Sequence, residues 1–521
     1  MRLATLLTLL APIALANAQP VALDPAFGTG GIVHHMIDIY YDKINDVVLQ
    51  PDGKIVVTGY TIQVNANWNL VVVRYNEDGS FDPSFGNSGV VITDIGPSHE
   101  EGTAITLQPD GRILVSGYTW VVDANGTTAY IVAARYLADG ALDPSFGTGG
   151  ISLQTTGYPS DYAYSITLQP DGRILLGGSS DGNSYAVLRL NDDGTPDLGF
   201  GVDGWAVAMV VGINSTGHCV ALQPDGRIVL AGDALIYNAD STNANQDLAA
   251  VRFMADGTLD LSFGTQGQVI TDMDGTGVRA DLIRDVAIQP DGAILLCGLT
   301  VASDGAYDVG MVRYLYDGSL DPSFGNGGRV ITDFENSSQD PRALMVLADG
   351  RILLGGVHYY DFAAMRYLPN GTPDNSFDGD GLVHTAIDSL SYEYGNAIAM
   401  YPDGRLVVAG ETTYMCYQRK FGLVRYTTDM STALAEKPIA ARASVVPNPV
   451  NDMVAVTLSE PLPQGGNWIL SDASGRQVST GRIAAGSGQR FLVAMGVLAN
   501  GAYTITISGS GRTMHAQVVK E

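Results

Sequence analysis

The stretch Leu107-Gln108-Pro109-Asp110-Gly111-Arg112-Ile113-Leu114-Val115, followed by Arg135-Tyr136, Asp139-Gly140 and Leu142-Asp143-Pro144-Ser145-Phe146-Gly147, recurs with small changes along most of the chain. Its first turn appears at Pro51-Asp52-Gly53, Pro109-Asp110-Gly111, Pro170-Asp171-Gly172, Pro224-Asp225-Gly226, Pro290-Asp291-Gly292, Ala348-Asp349-Gly350 and Pro402-Asp403-Gly404. Successive aspartates are 58, 61, 54, 66, 58 and 54 residues apart. A period of this size marks a repeat fold, in which each unit is one supersecondary block.

One unit, Gly89 to Gly147, contains four short runs of β-branched or alternating apolar residues: Val90-Val91-Ile92, Ala104 to Leu107, Ile113 to Val115 and Ile131 to Tyr136. Gly, Pro and Asp bound each run, which is the pattern of short strands rather than helices. In Pro109-Asp110-Gly111 the proline presets φ, and the glycine supplies the left-handed residue that closes a tight hairpin. Phe85, Phe146, Phe200, Phe263, Phe324 and Phe377 share one slot near the seam between units.

Seven units of four antiparallel strands predict an all-β, seven-bladed β-propeller, in which radial repetition protects the sheet edges. The chain starts in mid-repeat, at Leu23-Asp24-Pro25-Ala26-Phe27-Gly28, and the seventh unit stops at Arg425-Tyr426. The first strand is therefore expected to close the ring against the last blade. Arg74, Arg135, Arg189, Arg252, Arg313, Arg366 and Arg425 precede the Asp-Gly aspartate by four residues where it is present. They read as structural ion pairs or donors to turn carbonyls, since a ligand site does not need seven copies.

Residues 1–18, a basic start, an apolar run and Ala16-Asn17-Ala18, have the form of a signal peptide. No later apolar run reaches the length of an integral membrane span. Cys219 and Cys297 fall in strand-like runs and Cys416 in an irregular one, so no disulfide framework is expected. The net charge of −27 excludes nucleic acid as a partner, because phosphate needs clustered Lys and Arg. Much of that acidity is turn chemistry.

The recurring Gln-Pro-Asp-Gly-Arg-Ile and Leu-Asp-Pro-Ser-Phe-Gly resemble the delta-60 repeat of secreted bacterial proteins, over residues 19–428. Departures are Ala348 for proline and Asp378 for the glycine after phenylalanine. This family brings no established activity. After an Ala-, Ser-, Thr- and Pro-containing linker at 429–443, residues 444–521 carry Val446-Pro447-Asn448-Pro449, Trp468 to Gly475 and Asn500-Gly501-Ala502-Tyr503. They resemble the type A sorting domain of type IX secretion cargo, a small β-sandwich. The resemblance implies the type IX secretion machinery as a partner, and a mature protein secreted from or attached to the surface of a Gram-negative cell.

Alternating strand direction puts the variable loops on one face of the propeller and the repeated turns on the other. Variable loops on a rigid scaffold carry recognition. Their aromatic residues, Trp68, Trp120, Tyr158, Tyr162, Tyr359, Tyr360 and Tyr414 foremost, can stack on sugars or anchor a protein. The expected function is non-catalytic binding of a glycan or protein, as in adhesion. The alternatives are a polysaccharide hydrolase or lyase using Asp161, Glu393 and Asp308 near the central channel, or a rigid scaffold.

No catalytic constellation stands out. His34-His35 points to opposite faces of a strand, and His99-Glu100-Glu101 reads as a solvated loop. No metal site or cofactor is assigned. Structural calcium at Asp378-Gly379-Asp380-Gly381 lacks the spaced ligands of an EF-hand, and a turn is preferred.

Overall fold

A computed structural model describes residues 21–38, 41–63, 67–96, 98–123, 126–210, 213–237, 244–277, 279–387, 391–414, 418–428 and, further on, 443–446, 453–458, 466–472, 477–483, 490–495, 498, 501–509 and 512–520. The expected signal peptide, Cys416 and, but for Ala443, the expected linker lie outside them. The chain divides into two compact units, Met1–Ser431 and Thr432–Glu521.

Unit one is a ring of seven antiparallel blades, the first and last joined by one parallel bridge from Arg419 to Tyr41. Blade one is Tyr41–Leu49, Ile55–Ile62, Trp68–Tyr75 and Val90–Thr93, paired in that order. Blades two to six repeat it over residues 100–154, 162–208, 213–271, 281–332 and 339–385. Blade seven takes Ser391–Met400, Leu406–Tyr414 and Gln418–Thr427 from the end of the repeat region, and its outer strand, Ile32–His35, from the start. Ala22–Leu23 also pairs with that last strand, Ala22 opposite Thr427. The N-terminal strand thus closes the ring, as expected.

The phase of the blades differs from the phase of the sequence unit. Val90–Thr93 pairs with Trp68–Tyr75 and finishes blade one, so a unit read from Gly89 spans a blade boundary. The arginine strand is consequently third in its blade, not fourth.

Local chemistry explains the hairpins. Gly111, at φ 88°, donates its N–H to the Gln108 carbonyl at 2.9 Å, and Asp110 Oδ1 accepts the Arg112 N–H at 3.1 Å. The apolar core lies between blades: Val56, Leu70 and Val72 of blade one pack on Ile105, Val115, Val132 and Tyr136 of blade two, around Phe85.

Six of the seven arginines donate to a carbonyl of the neighbouring blade and clamp the two together, and Arg366 makes the same pairs with Asp374 and Phe377. Arg135 Nε meets Asp143 Oδ2 at 2.8 Å, its Nη1 donates to the Asp192 carbonyl of the next blade, and its guanidinium covers Phe146 at 4.6 Å. The aspartate partner is therefore eight residues on, in Leu-Asp, and not the Asp-Gly aspartate four residues on. A strand of even offset aligns both, but the chain turns after Asp139 and only the later carboxylate returns to the guanidinium.

Unit two has a three-stranded sheet containing Met453–Leu458 and Arg490–Ala494, and a four-stranded sheet containing Gly466–Asp472 and Gly501–Gly509. Val456 and Val493 of the first share a core with Leu470, Ile505 and Ile507 of the second, the packing of a β-sandwich.

Candidate functional site

The innermost strand of every blade carries a β-bulge at one position. The bulged residues are Asn45, Thr103, Tyr164, His218, Arg284, Arg342 and Asn396. Opposite each stands a glycine six residues after the turn glycine: Gly59, Gly117, Gly178, Gly232, Gly298, Gly356 and Gly410. A Cβ on Gly117 would lie 1.8 Å from the Glu101 carbonyl oxygen, so only glycine admits the approach. A bulge re-aims side chains, and here it interlocks neighbours around the axis. Asn45 donates to Gly102 O (2.8 Å), Thr103 to Ala163 O (2.8 Å), and Tyr164 lies against His218 (5.4 Å between centroids). Arg284 donates to Asp340 (2.8 Å), Arg342 to Asn396 (2.6 Å), and Asn396 to Ile44 O (2.7 Å), which returns to blade one. Burial pushes the Asp340 carboxyl up, but Arg342 and Arg284 outweigh it and hold the group below the usual range.

From this ring an aromatic ladder climbs onto the variable loops. Tyr60 stacks on Trp68 (4.3 Å), Trp68 meets His99 (4.8 Å), and His99 meets Trp120 (4.7 Å). Tyr118 then links Trp120 (6.5 Å) to Tyr162 (4.9 Å), and Tyr162 stacks on Tyr164 (5.9 Å). Three of the residues singled out above, Trp68, Trp120 and Tyr162, therefore share one array across blades one to three. His99 is the rung between the two tryptophans, not a solvated loop residue. Glu100 and Glu101 are likewise buried at the start of a strand. Burial pushes the Glu100 carboxyl up to about 7, and Glu101 accepts the Tyr118 hydroxyl at 2.5 Å. Tyr158 is exposed and outside the ladder. The Tyr414 side chain lies outside the described residues.

Tyr359 and Tyr360 belong to a second array over blades five to seven. They are the whole connection between Ile352–His358 and Asp361–Tyr367, and both have left-handed backbones, φ 46° and 72°. A two-residue hairpin of type I′ demands positive φ at both positions, which Asn-Gly supplies without strain. Tyr359 N–H donates to Ser338 O (3.0 Å) and Tyr360 O accepts from Glu393 N–H (2.6 Å), so neighbouring loops fix the turn. Tyr307, Tyr359, Tyr360 and Tyr394 surround a cavity of about 430 Å³ into which Gln339, Asp340 and Arg342 bring polar groups. Sequence reasoning had no signal for Asp340 and Arg342 beyond their place six residues or so before the next strand turn.

The carboxylates considered for catalysis are separated. Asp161 is buried in blade three, where both its oxygens cap Thr155 and Thr156 at 2.7–2.9 Å. Glu393 is on the inner strand of blade seven, and Asp308 is on the third strand of blade five, away from the channel. In Asp378 to Gly381, Asp380 Oδ1 accepts the Leu382 N–H (2.9 Å), as in a turn. Elsewhere, carboxylate oxygens of Asp247, Asp272 and Asp281 lie within 4.8 Å of one another.

Closed sheets, clamped seams and a loop face rich in aromatic residues define a β-propeller, here followed by a separate sandwich. Residues 50–85, 108–146, 169–200, 223–263, 289–324, 347–377 and 402–429 match a family described as a domain of unknown function (DUF5122) β-propeller, and residues 444–521 match a secretion system C-terminal sorting domain. The chain belongs to the DUF5122 β-propeller family and ends in a sorting domain, which marks it as secretion-system cargo. Among curated proteins, none matches it.

Solved structures similar to it include a protein of unknown function from Dyadobacter fermentans, at 14% identity over 76% of this chain and 99% of that one, with a TM-score of 0.42. A β-fructofuranosidase from Bombyx mori is 12% identical over 96% and 90%, TM-score 0.28. An endo-1,5-α-L-arabinanase from Thermotoga petrophila is 11% identical over 74% and 98%, TM-score 0.27. At these scores the neighbours carry no argument about activity.

Proposed function

We propose that the protein is a secreted, non-catalytic propeller that binds an extracellular glycan through its variable face, in adhesion at or beyond the cell surface. Export in this reading begins with the signal peptide 1–18 and ends with type IX translocation directed by residues 444–521. The observation that carries the reading is the tyrosine cavity. Four tyrosines line it, residues that can stack on the C–H surfaces of a sugar, while Gln339, Asp340 and Arg342 supply partners for its hydroxyls. The ladder of Trp68, His99 and Trp120 extends the same chemistry along the face.

A glycan-array screen of the full-length secreted protein tests it. The expected result is a defined glycan class whose binding is lost in Tyr359→Ala/Tyr360→Ala and weakened in Trp68→Ala or Trp120→Ala. Binding that survives all of these changes, or no glycan bound at all, would turn the search to a protein ligand.

A further inference from the structure

Beside the tyrosine turn, three segments remote in sequence bring together two imidazoles and a carboxylate. Glu335 comes from the connection between blades five and six, His358 from the end of Ile352–His358, and His384 from the outer strand Leu382–Thr385. Each offers one donor atom, and the three atoms lie within 4.8 Å of one another. We infer that Glu335, His358 and His384 form a site for a divalent transition-metal ion of the zinc class, which ties the Glu335 loop to the Tyr359-Tyr360 turn.

The distances fit. Ligands held about 2.0–2.1 Å from a tetrahedral ion stand roughly 3.3 Å apart, and His358 Nε2 is 3.3 Å from Glu335 Oε2. The His358 and His384 ring centroids are 4.9 Å apart. His384 Nδ1 is 2.8 Å from Asp361 Oδ2, so the carboxylate accepts the Nδ1–H and Nε2 keeps its lone pair. That arrangement, a carboxylate behind a histidine, orients metal-binding imidazoles generally.

His358 supplies the second line of argument. It is 3% exposed, and its Nδ1 has no hydrogen-bond partner among the described residues. Its other nitrogen, Nε2, is the one on the Glu335 side and the one that would hold the ion, on a ring fixed in place by burial.

The backbone around the cluster is strained on both sides. Glu335 and Asn336 have φ of 60° and 51°, as Tyr359 and Tyr360 have 46° and 72°. Such strain persists where the surroundings enforce it and clusters at functional sites. Gln339 Nε2 donates to the carbonyls of Phe334 (2.7 Å) and Ser337 (2.6 Å), which shapes the loop that presents Glu335. An ion bridging the loop and the two strands fixes one wall of the cavity, since Asn336, Ser337, Tyr359 and Tyr360 all line it. Two nitrogens and one oxygen select zinc over calcium or magnesium, which take oxygen ligands. The inference stands whether or not the cavity binds a glycan.

The test uses the full-length protein, stripped with a chelator and titrated with Zn²⁺ alone by calorimetry, with Co²⁺ as a spectroscopic probe of nitrogen-containing tetrahedral coordination. One equivalent is expected to bind and raise the melting temperature. The exposed His384→Ala should weaken binding at least tenfold without loss of fold, as should Glu335→Gln, and Asp361→Asn should do so by about 10–100-fold. Asp281→Asn, in the acidic cluster of blade four, should leave Zn²⁺ binding unchanged. Absence of binding, or binding that His384→Ala and Glu335→Gln both leave intact, overturns the assignment.

Discussion

Asp24 and Arg425 are 401 residues apart in the chain, yet Asp24 Oδ2 accepts from Arg425 Nε at 2.8 Å. The same arginine donates to the Glu77 carbonyl of blade one and covers Phe27. This pair is the seventh copy of the clamp and the one that shuts the ring. Asp24→Ala leaves Arg425, 1% exposed, without its carboxylate, and should cost about 3–5 kcal/mol. Equilibrium urea unfolding measures it, and a change of less than about 0.5 kcal/mol would show that closure does not depend on the pair.

The bulges make a separate demand. Gly117→Ala places a methyl group 1.8 Å from the Glu101 oxygen, and the two innermost strands of the blade must part. A loss of more than about 2 kcal/mol is expected. A melting temperature equal to that of the parent would mean that the bulge yields freely.

The tyrosine turn predicts opposite effects on stability and binding. Replacing Tyr359-Tyr360 by Asn-Gly meets the requirement for positive φ and should stabilise the fold by about 1–3 kcal/mol, while glycan binding is lost. Thermal unfolding and the array read the two effects independently. Destabilisation by Asn-Gly would show that the rings pay for their own strain by packing.

Buried acids set the pH response. Burial pushes the carboxyls of Asp46 up to about 6 and of Asp285 up to about 7, and of Asp281, also buried, to about 7. The native state therefore binds these protons more tightly than the unfolded chain. Their contribution is complete below the ordinary carboxylate range and is lost as pH rises through about 6 to 7. Asp143 acts in the opposite sense: the Ser145 hydroxyl first, then its N–H, Arg112 and Arg135 hold it below the usual range, so its contribution disappears in strong acid. Melting temperature should peak between about pH 4 and pH 6 and fall toward neutrality. A continuous rise to pH 8 would contradict this balance.

The architecture was largely legible because its determinants are local and repeated. Pro109-Asp110-Gly111 fixes a hairpin by its own dihedral preferences, and seven copies fix the number of blades. Arg135 and its equivalents were recognisable as structural, but the choice of Asp143 over Asp139 depends on how the chain returns after the turn. Gly117 was as readable as Gly111, at a constant six-residue offset, once a close approach is considered. Ladder and metal cluster were less accessible. His99 reaches Trp68 and Trp120 only because neighbouring blades stand side by side, and Glu335, His358 and His384 share no spacing that a motif captures.

The lock formed by Asn45, Thr103, Tyr164, His218, Arg284, Arg342 and Asn396 bears on how such a ring can evolve. Recombination between two Pro-Asp-Gly turns inserts or deletes a whole blade and leaves the Asp24–Arg425 junction untouched. A duplicated blade brings its clamp ready-made, because Arg, Asp and Phe travel together in one unit. Its bulged side chain, however, was selected against one particular neighbour: a second copy of blade five would set Leu282 before Arg284 in the place of Asp340. Growth by duplication is therefore limited by the identities around the axis, and the dissimilarity of those seven residues preserves the order in which the blades now stand.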